Sequence, residues 1–242
     1  MIPITLIPAR MASTRLPAKP LADIGGVPMI VRVMRQAEAA GLGPVAVAAG
    51  EAEIAAAVKA AGGQAVLTDP DLPSGSDRIH AALEKLDPAG RHDAVINLQG
   101  DLPALDPGQI RAVAAALEES GADIATLAAE ITDARERDNP SVVKAVVAWA
   151  PDGRLGRALY FTRATAPSGD GPLFHHVGIY AYRRDVLARF VALPQSPLEL
   201  REKLEQLRAM EANMSIAVAR VDRVPLSVDT PEDLERARKI LA

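Results

Sequence analysis

Residues 4–21, ITLIPARMASTRLPAKPL, join a short apolar strand to a proline-rich loop that carries three cations. Residues 4–7 have the composition of a buried strand. The three prolines that follow exclude a regular helix and restrict the backbone, so the loop presents its charges rather than burying them. Those charges belong to Arg10, Arg15 and Lys19. Cations gathered at the end of an α/β strand favour a polyphosphate ligand, and the alternative is a solvated basic turn.

Composition limits the class of protein. The chain has 242 residues, 49% of them hydrophobic, which is enough for one domain with a full core. Its formal charge of -4 creates no general positive field, so we expect no nucleic-acid partner. Cysteine is absent, which excludes disulfides and thiol catalysis. Since neither a leader-like segment nor an apolar run of bilayer length is found, we expect a cytoplasmic protein without a membrane span.

The first half of the chain alternates strand-like runs with helical segments. The runs cover residues 4–7, 44–49, 64–67 and 93–98, and the helices open near residues 28, 51 and 107. This alternation is typical of a parallel α/β fold, whose ligand crevice lies at the carboxyl ends of the strands. We therefore expect four polar side chains to share one rim: Arg10, Lys19, Gln99 and Asp101.

The second half has a different pattern. It predicts strands at residues 142–149, 176–182 and 216–221, a turn at 153–156 and a helical stretch at 198–211. Thr230 and Asp233 resemble a capping box that opens a last helix at Pro231. We predict a single domain over residues 1–242, in which about residues 130–215 complete the sheet and add a lobe.

Two carboxylates accompany the cation loop. Asp101 follows an apolar run, so its side chain should emerge at a strand end, where a hard oxygen ligand suits Mg²⁺ bound to a triphosphate. Asp229 precedes the last helix and is a second candidate. Each also has a structural explanation, since Asp101 can stabilise a turn and Asp229 can support a helix cap. Together with the cations they indicate metal-assisted phosphoryl or nucleotidyl transfer.

A second loop, PSGSDR at residues 73–78, places small residues before a helix. Ser74, Gly75 and Ser76 can hold a base or a phosphate there, and a plain helix cap is an equal alternative. The sequence contains neither GxGxxG nor GxxxxGK[ST], which argues against a dinucleotide fingerprint and a Walker-type ATPase. No histidine spacing resembles a zinc site.

Eight segments carry a family resemblance: IPARMASTRLPAKPL, LPSGSDR, INLQGDLP, NPSVVK, ALYFTRATAP, HHVGIYAYRR, SPLELREKLEQLR and VDTPEDLERAR. They occur in the same order and span nearly the whole chain. In combination they resemble the 3-deoxy-manno-octulosonate cytidylyltransferases, or CMP-Kdo synthetases. The first segment alone is shared by several nucleotidyltransferases, whereas FTRATAP, GIYAYR and LEQLR are more specific.

The resemblance implies a fold and a reaction. The fold is a Rossmann-like nucleotidyltransferase, a mostly parallel sheet flanked by helices, with a small sugar-binding and dimerisation lobe. The reaction is transfer of CMP from CTP to the anomeric hydroxyl of Kdo with release of pyrophosphate, dependent on Mg²⁺ and serving lipopolysaccharide assembly. The family usually forms homodimers.

The resemblance also implies roles for particular residues. Arg10 and Lys19 would hold the triphosphate, with Arg15 nearby, and Asp101 and Asp229 would ligate Mg²⁺; apart from Arg15, these are the predicted catalytic residues. Ser74, Gly75 and Ser76 would line the nucleotide pocket. Six residues match positions that contact the sugar acid: Arg78, Gln99, Arg163, His176, Tyr180 and Glu205.

The chain departs from the family pattern at three places. Leu102 stands where relatives carry an acid, Ala49-Gly50-Glu51 replaces Thr-Asp-His, and the segment between Pro167 and His175 is short. The short segment bears on which sugar acid is bound, so a related ulosonic acid is an alternative substrate. Another sugar nucleotidyltransferase and a silent nucleotide-binding subunit are further alternatives.

Overall fold

The computed structural model describes residues 1–12 and 15–241. The chain divides into two compact units, Met1–Arg111 with Pro225–Ala242 and Ala112–Val224. The predicted single-domain organisation stays a prediction. Among the described residues, no helix is both long and apolar enough to cross a bilayer.

The elements are numbered along the chain. The strands are β1 (Pro3–Ala9), β2 (Asp23–Ile24), β3 (Val27–Pro28), β4 (Val45–Ala49), β5 (Gln64–Leu67), β6 (Ala94–Asn97), β7 (Ile124–Glu130), β8 (Lys144–Trp149), β9 (Leu155–Thr162), β10 (Phe174–Arg183) and β11 (Ile216–Val221). The helices are α1 (Met29–Ala39), α2 (Ala52–Ala60), α3 (Gly75–Leu86), α4 (Pro107–Ser120), α5 (Ala134–Arg137), α6 (Arg184–Val191), α7 (Pro197–Glu202), α8 (Gln206–Glu211) and α9 (Pro231–Leu241).

The first unit contains a parallel sheet in the order β5-β4-β1-β6. In β1, Leu6 pairs with Ala46 of β4 on one side and Asn97 of β6 on the other. Leu6 and Ile7 are fully buried although they point to opposite faces, as expected where helices cover both sides of a sheet. The predicted βα alternation of this half is confirmed, and with it the α/β fold.

The second unit contains a mixed sheet in the order β10-β7-β11-β9-β8. Its strands β7 and β11 run parallel, and the other pairings are antiparallel. Strand β10 also pairs with β8 through His175 and Lys144, so the five strands close on themselves. Thr126 of β7 faces an irregularity of β10 between Val177 and Tyr180.

Three sequence expectations need correction. The helical stretch predicted over residues 198–211 is two helices, because Lys203 adopts a left-handed conformation with φ 56° between them. The turn predicted at residues 153–156 ends earlier, since Leu155 and Gly156 already pair with β11. Within the proline-rich loop, Lys19–Leu21 form one 3₁₀ turn, with Pro20 at its start.

Candidate functional site

A cavity of about 450 Å³ opens in the first unit at the carboxyl ends of β1 and β6. We call it the charged cavity. It is lined by nine residues predicted from sequence: Arg10, Arg15, Lys19, Ser74, Gly75, Arg78, Gln99, Asp101 and Asp229. The expected shared rim is therefore confirmed. Its volume lies within the range of small-molecule sites.

Lys19 joins the two candidate carboxylates. Its Nζ lies 2.8 Å from Asp101 Oδ2 and 3.2 Å from Asp229 Oδ1. Burial favours the neutral amine, but the two carboxylates outweigh burial and raise the pKa of Lys19 above its usual value. The ammonium therefore stays charged and serves as the counter-ion of both acids.

Hydrogen bonds between two loops bring the carboxylates together. Val228 N–H donates to the carbonyl of Asp101 at 2.9 Å, which fixes the segment before α9 against the loop after β6. Thr230 and Asp233 form the predicted reciprocal cap, with the Asp233 N–H donating to Thr230 Oγ1 at 3.2 Å and the Thr230 N–H to Asp233 Oδ2 at 3.1 Å. Asp229 N–H also donates to Asp233 Oδ2. Asp229 is thus positioned by the cap, while its own carboxylate faces Lys19.

The two arginines of the cation loop differ in their pairing. Arg15 Nη2 lies 3.1 Å from Asp229 Oδ1, but the Arg15 side chain is 66% exposed, so this pair contributes little stability. Within residues 1–12 and 15–241, Arg10 forms no hydrogen bond or ion pair, and its side chain lines the charged cavity. Arg10 is therefore available to an anionic ligand.

The start of α3 borders the charged cavity. Ser74 Oγ accepts the N–H of Asp77 at 3.1 Å and donates to Asp77 Oδ2 at 2.6 Å, so its hydroxyl serves the helix cap. A Cβ on Gly75 would lie 3.3 Å from Pro8 Cγ, and the absence of a side chain lets the helix start approach β1. Ser76, predicted to line the nucleotide pocket, is buried and does not line the cavity.

Arg78 is buried beneath the cavity. Its Nη1 donates to Thr68 Oγ1 at 2.7 Å and to the Asp69 carbonyl at 2.9 Å, and its Nη2 donates to the Pro70 carbonyl at 3.0 Å. Burial and the nearby Arg10 lower its pKa. A Cβ on Gly50 would lie 3.1 Å from Arg78 Nη1, so the glycine at this departure from the family pattern leaves room for the guanidinium.

Glu51 is a residue that the sequence interpretation missed. It precedes α2, but its carboxylate does not cap that helix. Instead, Oε2 accepts the backbone N–H of Met11 at 2.9 Å, which tethers the cation loop next to Arg10. The available signal was its position just after β4, the same kind of position that singled out Asp101.

A second group of predicted residues lies in the second unit. His176 is 9% exposed, and its ring packs 4.8 Å from the Phe161 ring and 5.5 Å from the Tyr180 ring, between centroids. Its Nε2 lies 3.0 Å from Thr126 Oγ1. We call Thr126, Phe161, His176 and Tyr180 the His176 cluster.

Burial keeps the cluster neutral. It lowers the pKa of His176 to about 3, with a smaller effect from His175. It also raises the pKa of Tyr180 well above its usual value, with further contributions from Tyr182 and Glu205. At neutral pH the cluster therefore offers an uncharged imidazole and an uncharged phenol, which suit hydroxyl groups better than anions.

Arg163 and Glu205 lie near the junction of α7 and α8. Arg163 donates through Nε to the Glu202 carbonyl at 2.8 Å, through Nη1 to the Pro140 carbonyl at 3.0 Å and through Nη2 to the Lys203 carbonyl at 3.4 Å. Glu205 Oε1 lies 3.7 Å from Arg208 Nη2. Arg163 thus joins its own segment to two others, at Pro140 and at Glu202–Lys203, and the sequence analysis did not predict this structural role.

The first unit has the architecture of a nucleotidyltransferase, because cations and two carboxylates lie at the strand ends of a parallel α/β fold. A family profile described as Cytidylyltransferase matches residues 4–216. A Parvibaculum lavamentivorans protein named 3-deoxy-manno-octulosonate cytidylyltransferase is 67% identical over 240 residues, covering 99% of this chain and 93% of that protein. The chain belongs to the 3-deoxy-manno-octulosonate cytidylyltransferase family. A protein of the same name from Paramagnetospirillum magneticum is 65% identical over 241 residues, covering 100% of this chain and 98% of that protein.

A solved structure supports the same family. It is a CMP:2-keto-3-deoxy-manno-octonic acid synthetase in complex with CTP, with a TM-score of 0.90 and 39% sequence identity. The similarity covers 98% of this chain and 97% of that one. The nucleotidyltransferase fold expected from sequence is therefore confirmed over the length of the chain.

Proposed function

We propose that this protein transfers CMP from CTP to the anomeric hydroxyl of Kdo and releases pyrophosphate. The observation that carries the proposal is the charged cavity, in which Arg10, Lys19, Asp101 and Asp229 meet. The names of the relatives supply Kdo as the acceptor, and the solved synthetase, a complex with CTP, supplies the nucleotide.

The chemistry follows from the charges. The anomeric oxygen attacks the α-phosphorus of CTP, the bond from that phosphorus to the pyrophosphate oxygen breaks, and the hydroxyl proton is released to solvent. Arg10 and Lys19 stabilise the negative charge on the phosphate oxygens, and Arg15 adds a third, exposed cation. In such transfers, positioning and electrostatic stabilisation supply most of the rate.

Asp101 and Asp229 fit a magnesium ion. The described residues contain no group of three or more acidic, histidine or cysteine side chains able to hold a metal, so the protein offers these two carboxylates and the remaining ligands would come from phosphates and water. That division of ligands is usual for Mg²⁺. When bound, the ion neutralises phosphate charge and lowers the pKa of a coordinated hydroxyl. Lys19 would compete with it for the same two acids.

The sugar acid requires cations for its carboxylate and mixed polar groups for its hydroxyls. Arg78 and Arg163 each donate three hydrogen bonds to the protein, and a guanidinium has five N–H donors, so each retains donors for a ligand. The predicted sugar contacts also include Gln99, His176, Tyr180 and Glu205. The short segment of residues 168–174 keeps a related ulosonic acid as the alternative acceptor.

The same proposal includes an oligomeric state and a cellular location. We expect a homodimer, as the family resemblance implies. Light scattering of the purified protein would measure the oligomeric state. We expect the enzyme to act in the cytoplasm and its product to serve lipopolysaccharide assembly.

The test is pyrophosphate release from CTP, Kdo and Mg²⁺, compared with UTP, with other ulosonic acids and with reactions lacking an acceptor. Release that requires both CTP and Kdo is the expected result. Release with CTP and only a different ulosonic acid would replace the acceptor and keep the chemistry. Absence of release from folded protein that binds CTP would contradict the proposal.

A further inference from the structure

Thr126 makes three close polar contacts at the centre of the His176 cluster. Its Oγ1 lies 2.8 Å from the Ile179 carbonyl, 3.2 Å from the Val177 carbonyl and 3.0 Å from His176 Nε2. The residue is fully buried on β7, opposite the irregularity of β10 that turns these two carbonyls toward it. Water therefore does not compete for its hydroxyl.

The contacts determine where the hydrogens lie. A threonine hydroxyl has one hydrogen, and a carbonyl oxygen can only accept. If the hydroxyl donated to His176 Nε2, its oxygen would face the Ile179 carbonyl at 2.8 Å without a hydrogen between them. The hydroxyl therefore donates to that carbonyl and accepts from His176, so Nε2 carries the imidazole hydrogen.

The other nitrogen of His176 is then an acceptor. A neutral imidazole has one N–H and one bare nitrogen, and burial keeps His176 neutral at physiological pH. Within the described part of the chain, Nδ1 has no hydrogen-bond partner. The atom is also not completely buried. Nδ1 thus keeps some access to solvent, and as a bare nitrogen it can only accept a hydrogen bond.

We infer that Thr126 is a positioning residue that fixes His176 as an acceptor for a sugar hydroxyl. This inference rests on the proposed function for the identity of the ligand, and it assigns the subsite a chemistry. A bare nitrogen attracts a hydroxyl and repels a carboxylate, so the carboxylate of the sugar acid is bound by the arginines and not by His176. The subsite selects acceptors that present a hydroxyl at this point.

The first experiment measures the hydrogen positions without any substrate. Protein labelled with ¹⁵N at histidine distinguishes a protonated ring nitrogen from a bare one by chemical shift. His175 provides an internal reference, because its Nδ1 faces Glu136 Oε2 at 3.3 Å and should carry the hydrogen. We expect opposite tautomers at these adjacent positions. A hydrogen on Nδ1 of His176, or on both of its nitrogens at neutral pH, would overturn the inference.

The second experiment compares two substitutions at the same site. Thr126→Val keeps the shape and removes the hydroxyl, and Thr126→Ser keeps the hydroxyl. We expect Thr126→Val to raise KM for Kdo roughly tenfold, with KM for CTP within about twofold of wild type, because one buried hydrogen bond is lost. Thr126→Ser should restore both the Kdo KM and the His176 shifts.

The two experiments separate the possible failures. An equal rise of KM for both substrates in Thr126→Val, or no rescue by Thr126→Ser, would show a general structural role and contradict the inference. If Thr126→Val does not fold, the spectrum of the wild type and the Kdo KM of Thr126→Ser still decide. If the wild type does not use Kdo at all, the proposed function fails, while the tautomer of His176 remains measured.

Discussion

In the charged cavity of the first unit, Lys19 and two carboxylates are paired with one another, whereas Arg163 and Thr126 of the second unit are paired with main-chain carbonyls. Lys19 contacts Asp101 and Asp229, and both acids are partly exposed. Arg163 and Thr126 instead donate to carbonyls whose positions the fold determines. An ion or a phosphate can replace one partner in the first arrangement, whereas in the second arrangement the acceptors are part of the backbone and keep the positions that the fold gives them.

This difference indicates how each region would treat its ligand. Side-chain pairs can exchange partners at low cost because the acids and the ammonium keep access to water. The charged cavity is therefore suited to a metal and a triphosphate that arrive and leave in each cycle. Buried groups held by the backbone keep one arrangement, because each lost hydrogen bond costs the desolvation of both partners. The His176 cluster is suited to binding a ligand whose hydroxyl groups have a fixed arrangement.

The largest effect is expected from Asp101→Asn in the charged cavity. The change removes one of the two predicted metal ligands while keeping the shape of the side chain, so we expect turnover to fall on the order of 100-fold with unchanged thermal stability. Glu232→Gln, an exposed carboxylate at the start of α9, is the matched control. Pyrophosphate release across a Mg²⁺ titration measures the effect. Near-normal turnover with an unchanged metal requirement would contradict the role of Asp101.

The second effect concerns stability and the His176 cluster. Since the folded pKa of His176 is about 3 and its ordinary value is 6.5, the unfolded chain binds more protons between these pH values. The stability that this group contributes is therefore fully present above pH 6.5 and is lost as the pH falls. Each pH unit corresponds to about 1.4 kcal/mol, so we expect a loss of about 2 kcal/mol between pH 6.5 and 5 from this group. Burial of His175 acts in the same direction.

Urea unfolding followed by fluorescence measures this loss, because the only tryptophan, Trp149, lies in the second unit. The comparison is between wild type and His176→Gln. The substitution should flatten the dependence between pH 6.5 and 5, even if it lowers stability at pH 7. An equal slope in both proteins would show that His176 does not titrate as its burial requires.

The third effect tests the exchange of partners at Lys19. In Lys19→Met the two carboxylates lose their counter-ion, so we expect the free protein to bind Mg²⁺ roughly tenfold more tightly and KM for CTP to rise by a similar factor. Calorimetry measures the first quantity and steady-state kinetics the second. Lys59→Met, an exposed lysine of α2, is the control. Weaker Mg²⁺ binding in Lys19→Met would show that Lys19 organises the acids instead of competing for them.

The sequence predicted the charged cavity better than the His176 cluster, and the reason is physical. Parallel strands bring their carboxyl ends to one edge, so Arg10 and Asp101 could be placed together from their positions after β1 and β6. Strand β7, IATLAAE, was not predicted, because its alanines suit a helix as well as a strand. With β7 unknown, the partner of His176 was unknown too.

Contacts to the backbone also escaped prediction. Arg78 and Arg163 were identified only as ligand contacts, because no pattern of residue types reveals that a guanidinium donates to carbonyls of distant loops. The interruption between α7 and α8 at Lys203 could not be predicted either, since lysine has no preference for a left-handed conformation. The motifs located the chemistry, and the tertiary fold decided what holds each side chain in place.

The smallest effect is expected at Glu51, which joins the two kinds of pairing because its side chain holds a backbone N–H of the cation loop. We expect Glu51→Ala to raise KM for CTP roughly threefold, as for one partly exposed hydrogen bond, while Glu53→Ala on the nearby helix α2 has no effect. Glu51→Gln retains an acceptor for the Met11 N–H and should recover most of the loss. If Glu51→Gln is as impaired as Glu51→Ala, the residue acts through its charge beside Arg78 and Arg10. Glu51 would then be a third acid of the charged cavity, in addition to Asp101 and Asp229.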